Sequence, residues 1–281
     1  MRVPTIPSLL PLPLSLPLPL RATAVDALVL AGHLLLYPTG VLAERTPEEP
    51  TGTPASHPHP RPHPHPTDRP PVLLLHGFCD NRSAYVLLRR SLLRHGWRHV
   101  VALNHSPLTG DVRAAARRLA GQVEEVLART GHERVDLVGH SLGGLIARYY
   151  VQRLGGDART RTVITLGTPH SGTRAAPALP AHPVARQMCP GSPLLAELAE
   201  PVPGGCRTRF VSFWSDSDAI MIPRETARLD HSDLRVRNIA VRGVGHMTLP
   251  VDCVVSARIR AELGARSGAR PASPGAPADV A

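Results

Sequence analysis

The stretch from Arg134 to Tyr149, RVDLVGHSLGGLIARY, limits what this chain can fold into more than any other. Val135, Leu137 and Val138 form a short apolar strand run. Gly139-His140-Ser141-Leu142-Gly143 comes next. Leu142, Leu145, Ile146 and Tyr149 then recur at helical spacing. Strand, G-x-S-x-G and helix in that order predict a sharp turn that lifts a serine hydroxyl above the end of a sheet. Such a turn forces Ser141 into a strained backbone conformation. Gly139 and Gly143 leave room for it, and Gly144 lets the helix start close to the sheet. The helix N-terminus behind Ser141 offers N–H groups and a partial positive charge to a developing anion.

The surrounding chain fits that turn into a larger plan. Val72–Leu75, Val100–Leu103, Thr162–Leu166, Phe210–Phe213 and Val236–Val241 read as further strands. Between them lie helical patterns. Ser83–Arg94 carries apolar Val86, Leu87, Leu92 and Leu93. Asp111–Arg129 keeps Val112, Ala115, Ala116, Leu119, Val123, Val126 and Leu127 on one face. Asp252–Leu263 reads as a closing helix. Alternation of this kind predicts an α/β domain over 72–263, with a mostly parallel sheet and helices on both faces. Residues 170–206 break the rhythm. Ser192-Pro193 marks a helix start there, before Leu194, Leu195 and Leu198. The excursion reads equally as a lid over a site or as a crossover packed on the domain.

A serine hydroxyl needs a base, and the base needs an orienting acid. The sequence holds fifteen histidines. His246 stands out, because Arg242-Gly243-Val244-Gly245 delivers it after the last strand; His231 is the second candidate. The acid belongs after Phe210–Phe213, where Asp218 precedes the apolar run Ala219-Ile220-Met221-Ile222, with Asp216 as the second candidate. Two amides are needed for an oxyanion. Leu142 N–H follows the serine, and Phe78 N–H lies in the His76-Gly77-Phe78 loop after the first strand of the body. His76, Gly77, His140 and His170 are the candidate substrate contacts.

These pieces together resemble the α/β-hydrolases, and within them the bacterial triacylglycerol lipases and esterases. The matching stretches are LLLHGF at 73–78, GHSLGG at 139–144, TLGTPHSG at 165–172, SDSDAIMIP at 215–223 and GVGHMTL at 243–249. The resemblance implies an eight-strand-type sheet. It also implies a Ser141, Asp218, His246 triad with Phe78 and Leu142 as oxyanion donors, and an acyl-site lining at Gly167-Thr168-Pro169-His170. The expected chemistry is hydrolysis of hydrophobic acyl esters, without cofactor or metal. A thioesterase or acyltransferase would share the triad. A catalytically silent binding protein of the same fold is the reading from outside enzymology.

The ends differ from the body. Residues 1–20 repeat Leu-Pro, and an apolar run, AVDALVLAGHLLLYPTGVLA, extends to Ala43. Residues 1–43 read either as a long signal peptide ending at Val41-Leu42-Ala43 or as a retained helix on a membrane or on the domain. Export or membrane association is expected, and a cytoplasmic location stays open. Residues 44–71 form a Pro- and His-rich spacer whose histidines could hold a metal, although a stiff solvated linker explains them as well. Residues 264–281 read as a disordered tail. The net charge of +10 comes from arginine alone, scattered and with few aromatics, so a nucleic-acid partner is not expected. The expected partner is a small lipid or ester, with membrane surface contact and no obligate protein. Cys189 and Cys206 flank the excursion and would staple it in an exported protein; Cys79 and Cys253 form a second candidate pair.

Overall fold

The computed structural model describes residues 18–41, 69–78, 80–104, 110–176 and 182–265. The His-Pro spacer, most of the tail after Gly264 and Cys79 therefore lie outside the described residues.

Six strands, all parallel to their neighbours, form one sheet: β1 Val72–Leu75, β2 Val100–Leu103, β3 Val135–His140, β4 Thr160–Leu166, β5 Arg209–Ser215 and β6 Arg235–Val241. Their order across the sheet is β2-β1-β3-β4-β5-β6. Six strands stand among the described residues where the resemblance implied eight. The chain runs outward from β1 to β2 and then returns to the far side of β1 with β3. That reversal puts the carboxyl ends of β1 and β3 side by side, where open parallel sheets hold their sites. Leu75 is level with Gly139 in the β1–β3 register.

Alternation along each strand builds two cores. Leu73, Leu137, Val163 and Phe210 face one apolar layer. Val72, Leu74, Val138, Ile164, Val211 and Phe213 face the other. The first layer is covered by α3 (Val112–Thr130), α4 (Leu142–Arg153) and two short helices, α5 (Pro183–Gln187) and α6 (Pro193–Ala199). The second is covered by α2 (Val86–Arg94) and α7 (Cys253–Gly264). All seven apolar positions expected on the buried face of α3 are buried. Each such side chain stabilises the fold by about 1.5–3 kcal/mol when fully buried if it is Val or Leu. Asp111 caps the helix by accepting from Arg113 N at 3.0 Å, and left-handed Gly131 ends it.

Two expectations need correction. Helix α2 buries Leu88 and Leu92, while Val86, Leu87 and Leu93 face outward. Its sequence is apolar on several sides, and a four-residue repeat, not the expected pairs, meets the sheet. Cys189 and Cys206 are free thiols. Cys206 Sγ donates to Asp157 Oδ1 at 3.1 Å, and Cys189 Sγ donates to Ala185 O at 3.6 Å, so each thiol is directed to a separate acceptor. The apolar N-terminal run, for which a helix on the domain was one of the readings left open, is a helix, α1 (Leu18–Val41), that rests on the domain. It turns polar residues inward and leaves Leu20, Leu28, Leu34, Leu35 and Leu36 exposed, Leu35 at 82%.

Candidate active site

Ser141 joins β3 to α4 with φ 51° and ψ −118°, and among the described residues it alone has a positive φ without being glycine. An L side chain occupies that region at a cost, so the surroundings must hold it there. They do. Ser141 N donates to Leu166 O at 2.9 Å, and Gly144 N donates back to Ser141 O at 3.1 Å. A Cβ at Gly143 would stand 2.2 Å from Leu75 O, and one at Gly144 would stand 1.9 Å from Thr168 Oγ1. The sequence places glycine where α4 must pass against β1 and the loop after β4.

His246 reaches the same edge from the loop after β6. Its Nδ1 lies 2.8 Å from Asp218 Oδ2, and both side chains are buried. Asp218 Oδ1 accepts from the amides of Ile220 and Met221, both at 2.9 Å. Burial alone would push this carboxyl up. The attraction of His246, its hydrogen bond and the two amides outweigh burial and hold Asp218 below the usual carboxylate range. For His246 burial alone would lower the pKa. The charge of Asp218 and its hydrogen bond, with smaller contributions from Asp26 and Asp80, raise it above the ordinary histidine value. The other candidates sit elsewhere. Asp216 Oδ1 accepts from Gly243 N at 2.9 Å and holds the loop after β6. His231 Nε2 pairs with Glu200 O at 3.1 Å.

Ser141 and His246 line one cavity of about 310 Å³, together with Gly77, Phe78, Asp80 and His140. A Cβ at Gly77 would stand 3.4 Å from Ser141 Cβ, so the loop after β1 passes directly beside the serine. Leu142 opens α4 next to it. The remaining wall is apolar for the most part: Ala175, Ala176, Met188, Ile220, Met221 and Met247. Ala175, Ala176 and Met188 belong to the excursion, which thus walls the cavity. The same excursion also packs Leu194, Leu195 and Leu198 of α6 into the core.

Four residues were candidate substrate contacts, and they divide. Gly77 and His140 line the cavity, whereas His76 and His170 do not. His76 is buried with Nδ1 2.7 Å from Gly77 O, which shapes the loop. His170 Nε2 pairs with Thr165 Oγ1 at 3.0 Å inside the sheet edge, and its burial keeps it neutral. His140 stacks beside His246 with ring centroids 4.7 Å apart, and its Nε2 lies 3.1 Å from His246 O. Burial first, then the neighbouring His246, bring His140 down to about 3. A neutral His140 donates to the His246 carbonyl and braces that loop. The ring thus lies against His246.

The fold matches known structures. A lipase from Bacillus licheniformis, BlEst2 in mature form, superposes with a TM-score of 0.60 at 17% identity, covering 73% of this chain and 95% of that one. The chain has the α/β-hydrolase fold. Lipase B of Aspergillus fumigatus shares the fold as well, with a TM-score of 0.54 at 20% identity over 63% of the chain and 47% of the other. Residues 71–202 match the family model for palmitoyl protein thioesterase. By sequence the chain is similar to triacylglycerol lipases of Pseudarthrobacter phenanthrenivorans and Burkholderia plantarii, each 36% identical over 116 residues and 38% of this chain. The chain spans about a third of those curated relatives, 35% and 32% of their lengths.

Proposed function

We propose that this protein of α/β-hydrolase fold is a serine ester hydrolase acting on hydrophobic acyl esters. One arrangement carries the reading: a serine at a strained strand-to-helix turn shares an apolar cavity with a histidine hydrogen-bonded to a buried carboxylate. Ser141 Oγ attacks the ester carbonyl while His246 Nε2 takes its proton. Asp218 holds the imidazole tautomer and steadies the cation that forms. The Phe78 and Leu142 amides bind the tetrahedral oxyanion. His246 then gives the proton to the leaving alcohol, and water repeats the sequence on the acyl-enzyme.

The family-model match favours a second reading, in which the leaving group is a thiol. The acyl half of the reaction is the same in both. Hydrolysis of p-nitrophenyl esters and of the matching acyl thioesters, from short to long chains, separates them. The expected result is faster turnover of oxygen esters with medium or long acyl chains, lost in Ser141→Ala. Undiminished turnover by Ser141→Ala would remove the serine from the mechanism. Labelling of Ser141 by a fluorophosphonate, absent in that variant, reads the same site without a substrate.

Helix α1 is long and apolar enough between Leu20 and Gly40 to cross a membrane. We place the protein at a membrane surface, with the leucine side of α1 against lipid. Its inward polar side is bonded to the domain, which suits lying on a bilayer better than spanning it. Flotation with phosphatidylcholine vesicles, weakened by Leu35→Glu, is the expected result; equal flotation of both proteins excludes this surface.

A further inference from the structure

Helix α1 has the composition of a segment that is cut off or dissolved in lipid, yet its inward stripe is built for this domain. Ala22, Asp26, His33, Tyr37 and Gly40 follow at intervals of four, seven, four and three residues, which keeps them on one side of the helix. Each of the last four meets a loop around the cavity. Asp26 Oδ1 accepts from Thr248 N at 2.9 Å and from Thr248 Oγ1 at 2.7 Å. A Cβ at Gly245 would stand 2.3 Å from the Asp26 carboxylate. The carboxylate thus grips the chain on both sides of His246. His33 Nδ1 lies 2.9 Å from Asp80 Oδ1, and both are buried. Asp80 itself lines the cavity. At the other end, Asn81 Nδ2 donates to Tyr37 O at 2.8 Å and Asn104 Nδ2 donates to Gly40 O at 2.7 Å. A helix end leaves carbonyls without partners, and here the domain supplies one.

We propose that α1 is a permanent brace behind the active-site loops and that Asp26 is a positioning residue that fixes the loop carrying His246. A leader destined for removal has no use for a buried His–Asp pair and a carboxylate fitted to Gly245 and Thr248. Asp26 does not touch the reacting atoms. It acts through the loop, and through charge. The titratable groups near His246 are Asp218, Asp26, Asp80 and His140, and the two charges of Asp26 and Asp80 add to the larger effect of Asp218. This inference rests on the hydrolase reading above.

Asp26→Ala and Asp26→Asn in the full chain test it. Asp26→Ala frees the loop, so kcat on a short p-nitrophenyl ester should fall about tenfold or more while KM holds, since small misplacements of catalytic groups cost rate. Asp26→Asn keeps an oxygen for Thr248 but loses the charge. It should retain most of kcat, while the acid limb of Ser141 labelling by fluorophosphonate moves to lower pH. Removing a negative charge makes His246 easier to deprotonate, which fixes that direction. Wild-type kcat and pH profile in both variants would overturn the proposal. So would a loss of rate that only follows the folded fraction measured by near-UV circular dichroism. The intact mass of the protein from its producing cells should include residues 18–41; a mature chain beginning after Ala43 would overturn the permanence of the brace. The failure of Ser141→Ala to abolish labelling would instead remove the hydrolase reading, so the two outcomes are separable.

Discussion

His246 Nδ1 and Asp218 Oδ2 stand 2.8 Å apart in a buried pair, while Asp218 Oδ1 is already occupied by the amides of Ile220 and Met221. An ionised carboxylate only accepts, so Nδ1 must carry the proton and Nε2 is left basic. Asp218→Asn would keep the shape and reverse that preference, because its amide donates. We expect kcat on a p-nitrophenyl ester to fall about 10⁴-fold with little change in KM, the scale seen when a triad acid loses its charge. A loss under tenfold would mean that another group orients His246.

The same pair sets the pH dependence. As the proposed base His246 works only when neutral, and its pKa lies above the ordinary 6.5. Hence kcat/KM should rise with pH through an apparent value above 6.5, and His140, at about 3, should not appear in the profile. Stability follows by linkage. The raised His246 contributes fully below the ordinary histidine value and loses its contribution as pH rises through the folded value. The depressed Asp218 contributes above the ordinary carboxylate value and loses it as pH falls through the folded one. The Tm advantage of wild type over Asp218→Asn should therefore peak between these two titrations and shrink on either side. A Tm difference that is flat from acid to alkaline pH would contradict the coupling.

Ala175 and Met188 bring the excursion to the cavity wall, opposite the serine loop. If acyl chains lie there, filling the space should discriminate by length. Ala175→Phe is expected to cut kcat/KM for long-chain esters by about 10–200-fold, as losing room for a few methylenes does, and to spare acetate esters. Equal loss for all chain lengths would place the acyl group on another side of Ser141.

How far this was legible in the sequence depends on what each residue had to satisfy. The serine turn was legible because glycine at 143 and 144 answers local steric demands, 2.2 Å and 1.9 Å approaches that no other residue meets. Helix α3 was legible because its seven buried residues all serve one contact face. Asp218 and His246 could be picked by strand order, although 28 residues separate them. Helix α2 misled because Val86, Leu87 and Leu93 are as apolar as the buried Leu88, and the sheet it meets decides which face wins. The free thiols at 189 and 206 were not legible, since spacing along the chain says nothing of where sulfurs point. Nor was the inward side of α1. Asp26 and His33 looked like interruptions of an apolar run, and their partners, Thr248 and Asp80, lie far away in sequence.

Arg148 joins the excursion to the rest, and does so without a carboxylate. Its buried guanidinium donates from Nη1 to His170 O at 3.2 Å, from Nη2 to Leu198 O at 2.9 Å and from Nε to Gln152 Oε1 at 2.6 Å. Burial first, then the nearby Arg153, bring it down to about 10. Three acceptors on three segments fix the planar fork, so the loop after β4, α6 and α4 share one anchor. Arg148→Met fits the apolar stem but leaves His170 O and Gln152 Oε1 without this donor; Leu198 O still receives Gln152 Nε2 at 3.2 Å. We expect a loss of about 2–4 kcal/mol in urea unfolding, the cost of stranding buried acceptors. Arg148→Lys keeps the charge but not the fork, and should lose about half as much. A change below about 0.5 kcal/mol for Arg148→Met, the level of an ordinary surface substitution, would mean that α6 is held by its leucines alone.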